Sequence, residues 1–557
     1  NRAPLKATSS CSLFPIMSSI PPRLFLVILI LGILFHFWIA SHDLNYLISQ
    51  GFLNDDAFYS LNIARNIALG YGSTFDRLNL TNGYQPLYVW LMVPVYMAVE
   101  QQDIETPLRI AFAFLALTNV IAGVLIYILM VHLTQDRVAA AMASAFWFLN
   151  PLFVKRSLNG LETPLAVVML LLVLWFWSTR LAHGSAKRPG LWFWLGVLLG
   201  ISFLSRVDLV FWAVALFLAG AVINRSMVWY RYLTQWIMSA IGVAIVTLPW
   251  TWFSFSNFGT IVPKSGEAVR NWIIFRSGGE VSFLERLDYV SRSLISITLT
   301  SPVWSLLRSE LRIQPTTMAV VISAVSLGLI FVLMRSCVIR LWLSQFWSAH
   351  KQIHLACGLY VLIMFLFYSL YLPAIWYFDR YYVSVFAIYA FYFGLAVHHL
   401  WTVVHQWEAV STKQRQACVL SRVVPVLISV PFILFLTSYF ARYPQNGFYR
   451  AALWMRENLP PDARVGSYLA GYLGYWSERQ VVNLDGKVNP AAMDALKKGT
   501  MLSYMRSVQI NYVADWPSYL KTLERRGGPV LGLELVDILY MDPEHHNYSI
   551  FVLEADK

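Results

Sequence analysis

The chain has 557 residues, of which 58% are hydrophobic, 15% aromatic and only 13% charged, against roughly 45–50% apolar and 25% charged in soluble domains. That balance excludes a water-soluble globule. The formal charge of +12 does not build a nucleic-acid surface either, because Lys and Arg stand in short groups between apolar runs and form no continuous stripe. They read as topology determinants.

In chain order, residues 1–22 are expected to be a disordered tail. Arg23 and the apolar run Leu24–Ala40 have the flank and core of a signal peptide, but no small-residue cleavage site comes before Asp43 and many spans follow, so a retained first span is predicted. Further runs near the roughly 20-residue spanning length lie at Leu108–Leu133, Val138–Val154, Pro164–Leu181, Leu191–Leu204, Leu209–Ile223, Trp236–Phe255, Thr316–Met334, Ile353–Leu372, Val383–Val403 and Val423–Phe440. With the first, they make about eleven spans. The run Pro86–Val99 is apolar but short, and whether it crosses sets the side of everything after it. If it stays on the outer face, Arg137, Lys187, Arg188, Arg225, Arg231, Arg335, Arg340, Lys351, Lys413, Arg415 and Arg422 all fall inside, as the positive-inside trend prefers. It is therefore read as a juxtamembrane or re-entrant helix.

This topology gives a membrane part over residues 23–440, with outer loops at 43–99 and 256–315, and an outer C-terminal region over 441–557. That region is polar, with short alternating stretches at Arg464–Ser467, Gln480–Leu484, Ile510–Ala514 and Ser549–Leu553, the pattern of a small soluble α/β domain. The fold class expected is a polytopic α-helical membrane protein with outer juxtamembrane helices and a small C-terminal α/β domain. The four cysteines, Cys11, Cys337, Cys357 and Cys418, lie outside the large outer regions and predict no disulfide framework. No repeat of 20–50 residues is apparent, which argues against a solenoid.

Chemistry-bearing residues gather in the outer segments. Asp55 and Asp56 follow the first span, at the start of a helix predicted over Ala57–Leu69 that Gly70 would end. Either acid could cap that helix. Equally, two adjacent carboxylates beside apolar surface repel each other, so one could act as general base, or the pair could hold a divalent cation. Glu162 precedes Pro164 at another helix start, where a capping and a functional role are both open. Asp208, with Arg206, lies in the next outer turn, where it is functional or simply interfacial. Lys264 and Arg380 place positive charge outside, against the trend, as an anionic lipid phosphate would require. Tyr377, Tyr381 and Tyr382 fit an interfacial aromatic belt. Asp485-Gly486 is a turn signal that could also touch substrate.

Laid out in this way, the chain resembles the GT-C superfamily of integral-membrane glycosyltransferases, the group of protein O-mannosyltransferases and the lipid A aminoarabinose transferase. The resemblance lies in Asp55-Asp56 after the first span, Ile63-Ala64-Arg65-Asn66-Ile67-Ala68, Thr81-Asn82-Gly83-Tyr84-Gln85-Pro86, Asn159-Gly160-Leu161-Glu162-Thr163, Asp379-Arg380-Tyr381-Tyr382 and the C-terminal domain. Many members have Asp-Glu in place of Asp55-Asp56 and His-Pro in place of Gln85-Pro86. The resemblance implies inverting transfer of a sugar from a polyprenyl-phosphate donor to a glycan, protein or lipid acceptor on the extracytoplasmic face of the plasma membrane, or of the endoplasmic reticulum. Asp55 would be the base, with Asp56 and Glu162 as its catalytic partners. Substrate contacts are expected from Arg65, Asn82, Tyr84, Gln85, Asp208, Lys264, Arg380, Tyr381 and Asp485, with no metal required. The rival reading, a transporter or lipid flippase, would put ionisable groups at mid-span and show internal repeats. Here the acids cluster at outer ends.

Overall fold

The computed structural model describes residues 23–181, 188–223, 229–277, 281–300, 308, 311–335, 347, 350–408, 446–516, 535–541 and 549–553. The expected tail and the expected span Val423–Phe440 lie outside the described residues.

The described chain opens with α1 (Arg23–Ala40), α2 (Leu44–Ser49), α3 (Asp55–Ala68), α4 (Pro86–Ala98) and α5 (Thr106–Thr134). It continues with α6 (Arg137–Leu149), α7 (Pro151–Ser157), α8 (Thr163–Phe176) with a π turn at Trp177–Leu181, α9 (Pro189–Ser205), a 3-10 turn at Val207–Leu209 and α10 (Val210–Ile223). Next come α11 (Trp229–Phe258), α12 (Lys264–Arg276), α13 (Phe283–Ile297), α14 (Pro315–Arg335), α15 (Lys351–Leu366) with a π turn at Phe367–Tyr371, α16 (Phe378–Tyr381) and α17 (Val383–Glu408). Among the described residues five helices are long and apolar enough to cross a membrane, or six if the bent pair α6–α7 is one span, and five more apolar helices are shorter. The chain is a helical integral-membrane protein.

Most predicted runs become helices at nearly the expected bounds. Val138–Val154 does not stay straight: Asn150-Pro151 breaks it, α6 and α7 meet at 61°, and the Asn150 side chain caps the new helix by accepting from Leu152 N–H at 3.1 Å. Proline removes the N–H that would continue the ladder, so a bend is the ordinary result.

The two ends of the bundle are distinct. The 29 residues of α5 carry the chain about 40 Å at 1.5 Å per residue. At one end Tyr475 O–H donates to Ile104 O at 2.7 Å. At the other, Asp136 and His398 pair at 2.9 Å. Helix α4 lies across the first of these ends. Gln85, before its first turn, accepts from Val207 N–H at 3.1 Å, and Tyr96, near its last, bonds the Tyr475 hydroxyl at 3.0 Å.

The C-terminal segment holds α18 (Asn446–Asn458), β1 (Arg464–Ser467), α19 (Gly471–Trp476), β2 (Gln480–Asn483), α20 (Pro490–Lys498), α21 (Met501–Ser507), β3 (Tyr512–Asp515), β4 (Leu535–Met541) and β5 (Ser549–Leu553). The strands form one sheet in the order β2-β1-β3-β5-β4. β1 runs parallel to β2 and β3, with Val465 opposite Val481 and Tyr512, while β5 is antiparallel to β3 and β4. The sheet region and the membrane part share their apolar cores. Phe58, Tyr59 and Leu61 of α3 pack with Tyr472, Leu473, Tyr475 and Trp476 of α19, and Ala268 and Trp272 of α12 pack with Val482, Leu484 and Leu496.

Candidate active site

The site is built where α3 meets α19. Helix α3 begins two residues earlier than the hydrophobic pattern predicts: its N-cap is Asn54, which makes no side-chain cap bond, and both aspartates lie in the first turn. Neither acid caps the helix, so both side chains are free to reach outward. They reach different partners.

Asp55 turns toward the C-terminal domain. Its Oδ1 accepts from the backbone N–H of Tyr472 at 2.8 Å, and its Oδ2 is buried with no protein hydrogen-bond partner. Gly471 makes this approach possible, because a Cβ there would overlap the Asp55 carbonyl oxygen. Burial pushes the Asp55 carboxyl up to about 7, against the Tyr472 hydrogen bond and with the Asp56 charge adding to the rise. Desolvation penalises the charged form, and the Tyr472 donor, the Lys487 charge and the Tyr59 hydroxyl together do not offset it.

Asp56 turns toward cations. Its Oδ2 accepts from Arg380 Nη1 at 2.7 Å and its Oδ1 faces Lys487 Nζ at 3.5 Å, with the Asp56 side chain 15% exposed. Burial works to raise this carboxyl too, but the Lys487 and Arg380 charges outweigh it and bring it down to about 2. The neighbouring acids thus have opposite proton affinities for identifiable reasons. Asp55 Oδ1 and both Asp56 oxygens are taken by different protein groups, and of the pair only Asp55 Oδ2 is left without a hydrogen-bond partner.

Further ion pairs surround Asp56. Arg380 lies over the Tyr377 ring at 4.5 Å, and Tyr381 stands 5.4 Å from both Arg380 and Arg206. Arg206 pairs with Asp208 at 3.0 Å and donates to Arg380 O at 3.3 Å; Tyr368 donates to the same Asp208 carboxylate at 2.5 Å. Arg156 pairs with Asp379 at 3.2 Å. Glu162, the N-cap residue of α8, is 8% exposed, and its side chain makes no cap hydrogen bond. Burial raises its carboxyl, opposed by Arg206 and Arg380. Its loop is tied to α4 by Tyr88, whose O–H donates to Gly160 O at 3.1 Å, and is closed on itself by Asn159, which accepts from Leu161 N–H at 3.0 Å.

Other residues expected at the site stand apart from the acid pair. Arg65, three turns along α3, donates to Gln101 O at 3.2 Å near the exposed rim. Lys264 and Arg380 do not share an anion: Lys264 pairs with Glu267 at 2.8 Å, and Glu267 also takes Lys497 at 2.5 Å. Asn82 is an organiser, accepting from Lys264 N–H at 3.1 Å and donating to Ser254 Oγ at 2.7 Å, and Tyr84 bonds Ser73 Oγ at 2.9 Å. Gln85 ties the segment before α4 to the Arg206–Asp208 turn.

Asp485 does form the expected turn, with Gly486 at φ 82°, yet it is fully buried and carries Lys487 to the acid pair. Lys487 bridges Asp485 at 3.1 Å, Asp56 at 3.5 Å and the Tyr377 hydroxyl at 3.2 Å. Lys487 and the Tyr472 N–H are not among the residues expected at the site, and Tyr377, expected in an interfacial aromatic belt, instead lies against Lys487 and Arg380. A cation flanked by Asp485 just past a strand was the one signal available for Lys487, whereas a backbone N–H has none.

Residues 439–551 match a family model described as a domain of unknown function (DUF8728). No curated protein matches the chain. Solved structures do. The apo oligosaccharyltransferase of Archaeoglobus fulgidus aligns at TM-score 0.56 and 16% identity, covering 91% of this chain and 71% of that one. The same organism's AglB in complex with an inhibitory peptide and a dolichol-phosphate aligns at 0.54 and 15%, covering 92% and 72%. ArnT from Cupriavidus metallidurans bound to undecaprenyl phosphate aligns at 0.51 and 12%, covering 96% and 98%. The likeness extends over nearly the whole chain, membrane helices and C-terminal sheet together, and the chain therefore has the GT-C fold of integral-membrane glycosyltransferases.

Proposed function

We propose that this protein transfers a sugar from a polyprenyl-phosphate donor to an acceptor hydroxyl on the extracytoplasmic face of its membrane, with inversion, and that Asp55 is the general base. The observation that carries the reading is the contrast within the acid pair. Asp55 has a buried oxygen with no protein partner and a carboxyl near 7, whereas Asp56 is saturated by Arg380 and Lys487. A base works best with a proton affinity near the operating pH, and a carboxylate held at about 2 by two cations is a poor one. The neighbours with this fold include proteins bound to dolichol-phosphate and undecaprenyl phosphate, which supports a lipid-linked donor.

In this reading the acceptor hydroxyl gives its proton to Asp55 Oδ2 as its oxygen bonds to the anomeric carbon. The bond from that carbon to the donor phosphate breaks, its electron pair leaves on the phosphate oxygen, and polyprenyl phosphate departs with its new charge facing the Arg380 guanidinium. Glu162 orients the acceptor, and Asp208 holds Arg206 and, through it, the Arg380 backbone. Arg65, Lys264, Asn82, Tyr84 and Gln85 shape the outer surface where donor and acceptor enter.

The test is to delete the gene and compare glycolipids and glycoproteins by mass spectrometry. A glycosylated species should disappear, return with the wild-type chain, and stay absent with Asp55→Asn. An unchanged glycan profile on deletion would overturn the proposal.

A further inference from the structure

Lys487 is held more tightly than a substrate-contacting lysine needs to be. Its backbone N–H donates to Asp485 Oδ1 at 2.8 Å, while its side chain, 12% exposed, returns to Asp485 Oδ2 at 3.1 Å. The Asp485 carbonyl is in turn fixed by Trp272 Nε1 at 2.9 Å. From this anchor the ammonium extends between the Tyr59 and Tyr377 rings, 5.8 and 5.7 Å from their centres, to Asp56. Burial works against its charge, but Asp485, Tyr377 and Asp56 outweigh it and hold the ammonium well above the usual lysine range.

Around that nitrogen stand one oxygen each from Asp56 and Asp485 and the Tyr377 hydroxyl. Two carboxylates facing one point are the start of a divalent-cation site, yet a hard cation such as Mg2+ or Ca2+ takes about six or more oxygens at roughly 2.0–2.6 Å. Of the other oxygens of these acids and of Asp55, three are committed elsewhere, Asp55 Oδ1 to Tyr472, Asp56 Oδ2 to Arg380 and Asp485 Oδ1 to the Lys487 backbone, which leaves only Asp55 Oδ2 without a partner, well short of such a shell. Among the described residues no group of three or more His, Cys, Asp or Glu is arranged to hold a metal ion. The donor set fits an ammonium and does not fit a metal.

We infer that Lys487 is a built-in cation, occupying the place between Asp56 and Asp485 that a divalent ion would otherwise fill, and that it supplies the positive charge a metal would bring to the departing phosphate. This rests on the glycosyl-transfer reading above. It makes transfer independent of metal supply and places an essential charge on the C-terminal domain. Because the ammonium is covalently tethered, a chelator cannot remove it. A small side chain at 487 would leave two buried carboxylates facing an empty cation place, which favours capture of a metal ion.

The experiment uses full-length protein in detergent, with Mn2+ as the probe, read by electron paramagnetic resonance and by transfer activity. Wild type should bind no Mn2+ at this place and should keep its transfer rate in EDTA. Lys487→Ala should lose about 10²-fold or more of transfer in EDTA, the scale of removing one charge-stabilising group. It should also bind one Mn2+ and recover part of the rate on adding it; Lys487→Met, which fills the space with an apolar chain, should lose transfer without binding Mn2+. EDTA-sensitive wild-type transfer restored by Mn2+ would overturn the inference, and so would an undiminished Lys487→Ala or one that binds no Mn2+. Mn2+ binding confined to Lys487→Ala, with no transfer by any form, would instead defeat the glycosyl-transfer reading and leave the cation place standing.

Discussion

Asp55 accepts a hydrogen bond from the Tyr472 backbone N–H at 2.8 Å, across 417 positions of the chain. Helix α3 and the C-terminal segment therefore meet at one candidate site. The base proposed for glycosyl transfer is oriented by a residue on the far side of every membrane helix in sequence.

The acid pair should divide under mutation. Asp55→Asn removes the group that takes the proton, and transfer should fall by about 10²–10⁴-fold, the usual range for a general base, while the protein still accumulates in the membrane. Asp56→Asn leaves Arg380 and Lys487 without their shared counter-charge, so its first effect should be a lower melting temperature. Equal loss of transfer in both, with equal stability, would remove the distinction drawn between them.

Activity should rise with pH. Asp55 is pushed up to about 7, and a base works only when unprotonated, so kcat/KM should climb as pH increases through about 7 and then level. Asp56, down at about 2, contributes no limb in this range. Because the Asp56 charge adds to the rise at Asp55, Asp56→Asn should move the limb to lower pH. A profile flat from pH 5 to 9 would argue against Asp55 as the base.

Gly471→Ala is a small change with a specific consequence. The added methyl meets the Asp55 carbonyl oxygen, so α19 must move away and take the Tyr472 N–H with it. Overpacking of this kind costs about 1–3 kcal/mol, which a thermal melt should register. The transfer rate should drop further than that stability loss explains; a variant with lowered melting temperature and a normal rate would show that the contact only staples the domains.

Arg380→Ala should raise the KM for the lipid donor more than the KM for the acceptor, since Arg380 is assigned to the departing phosphate and a guanidinium binds phosphate through paired donors. Steady-state measurements with donor and acceptor varied separately would check this. An unchanged donor KM would take Arg380 out of the phosphate site.

Sidedness can be read with single cysteines in a cysteine-free background. Leu80 is exposed in the first outer loop, and Gln135 is exposed beyond the far end of α5. An impermeant thiol reagent should label a cysteine at 80 from the extracytoplasmic side and one at 135 only after the membrane is opened. Labelling of both from one side would contradict the placement of α4 across the bundle end.

Much of this protein was legible in its sequence. Long apolar runs have few structural solutions, because a backbone removed from water must satisfy its own hydrogen bonds and a helix does so locally. Most of the apolar helices and the short Pro86–Val99 helix could therefore be placed from composition and charge, whereas the break at Asn150-Pro151 inside the expected Val138–Val154 run is seen only in the structure. So could the acids and the Arg380 turn, because a charge near apolar surface calls for a reason wherever it occurs. What tertiary structure alone decided is which charge meets which. Asp55 and Asp56 are adjacent and chemically alike in sequence, and a helix rotates neighbouring side chains by about 100°, so one faces the Tyr472 N–H and the other faces Arg380 and Lys487. Their proton affinities diverge because of partners hundreds of residues away, and the same long-range packing brought Lys487 in, whereas Lys264 pairs locally with Glu267 three positions on. Helix formation depends on neighbours in the chain, but the electrostatics of a buried site depends on neighbours in space.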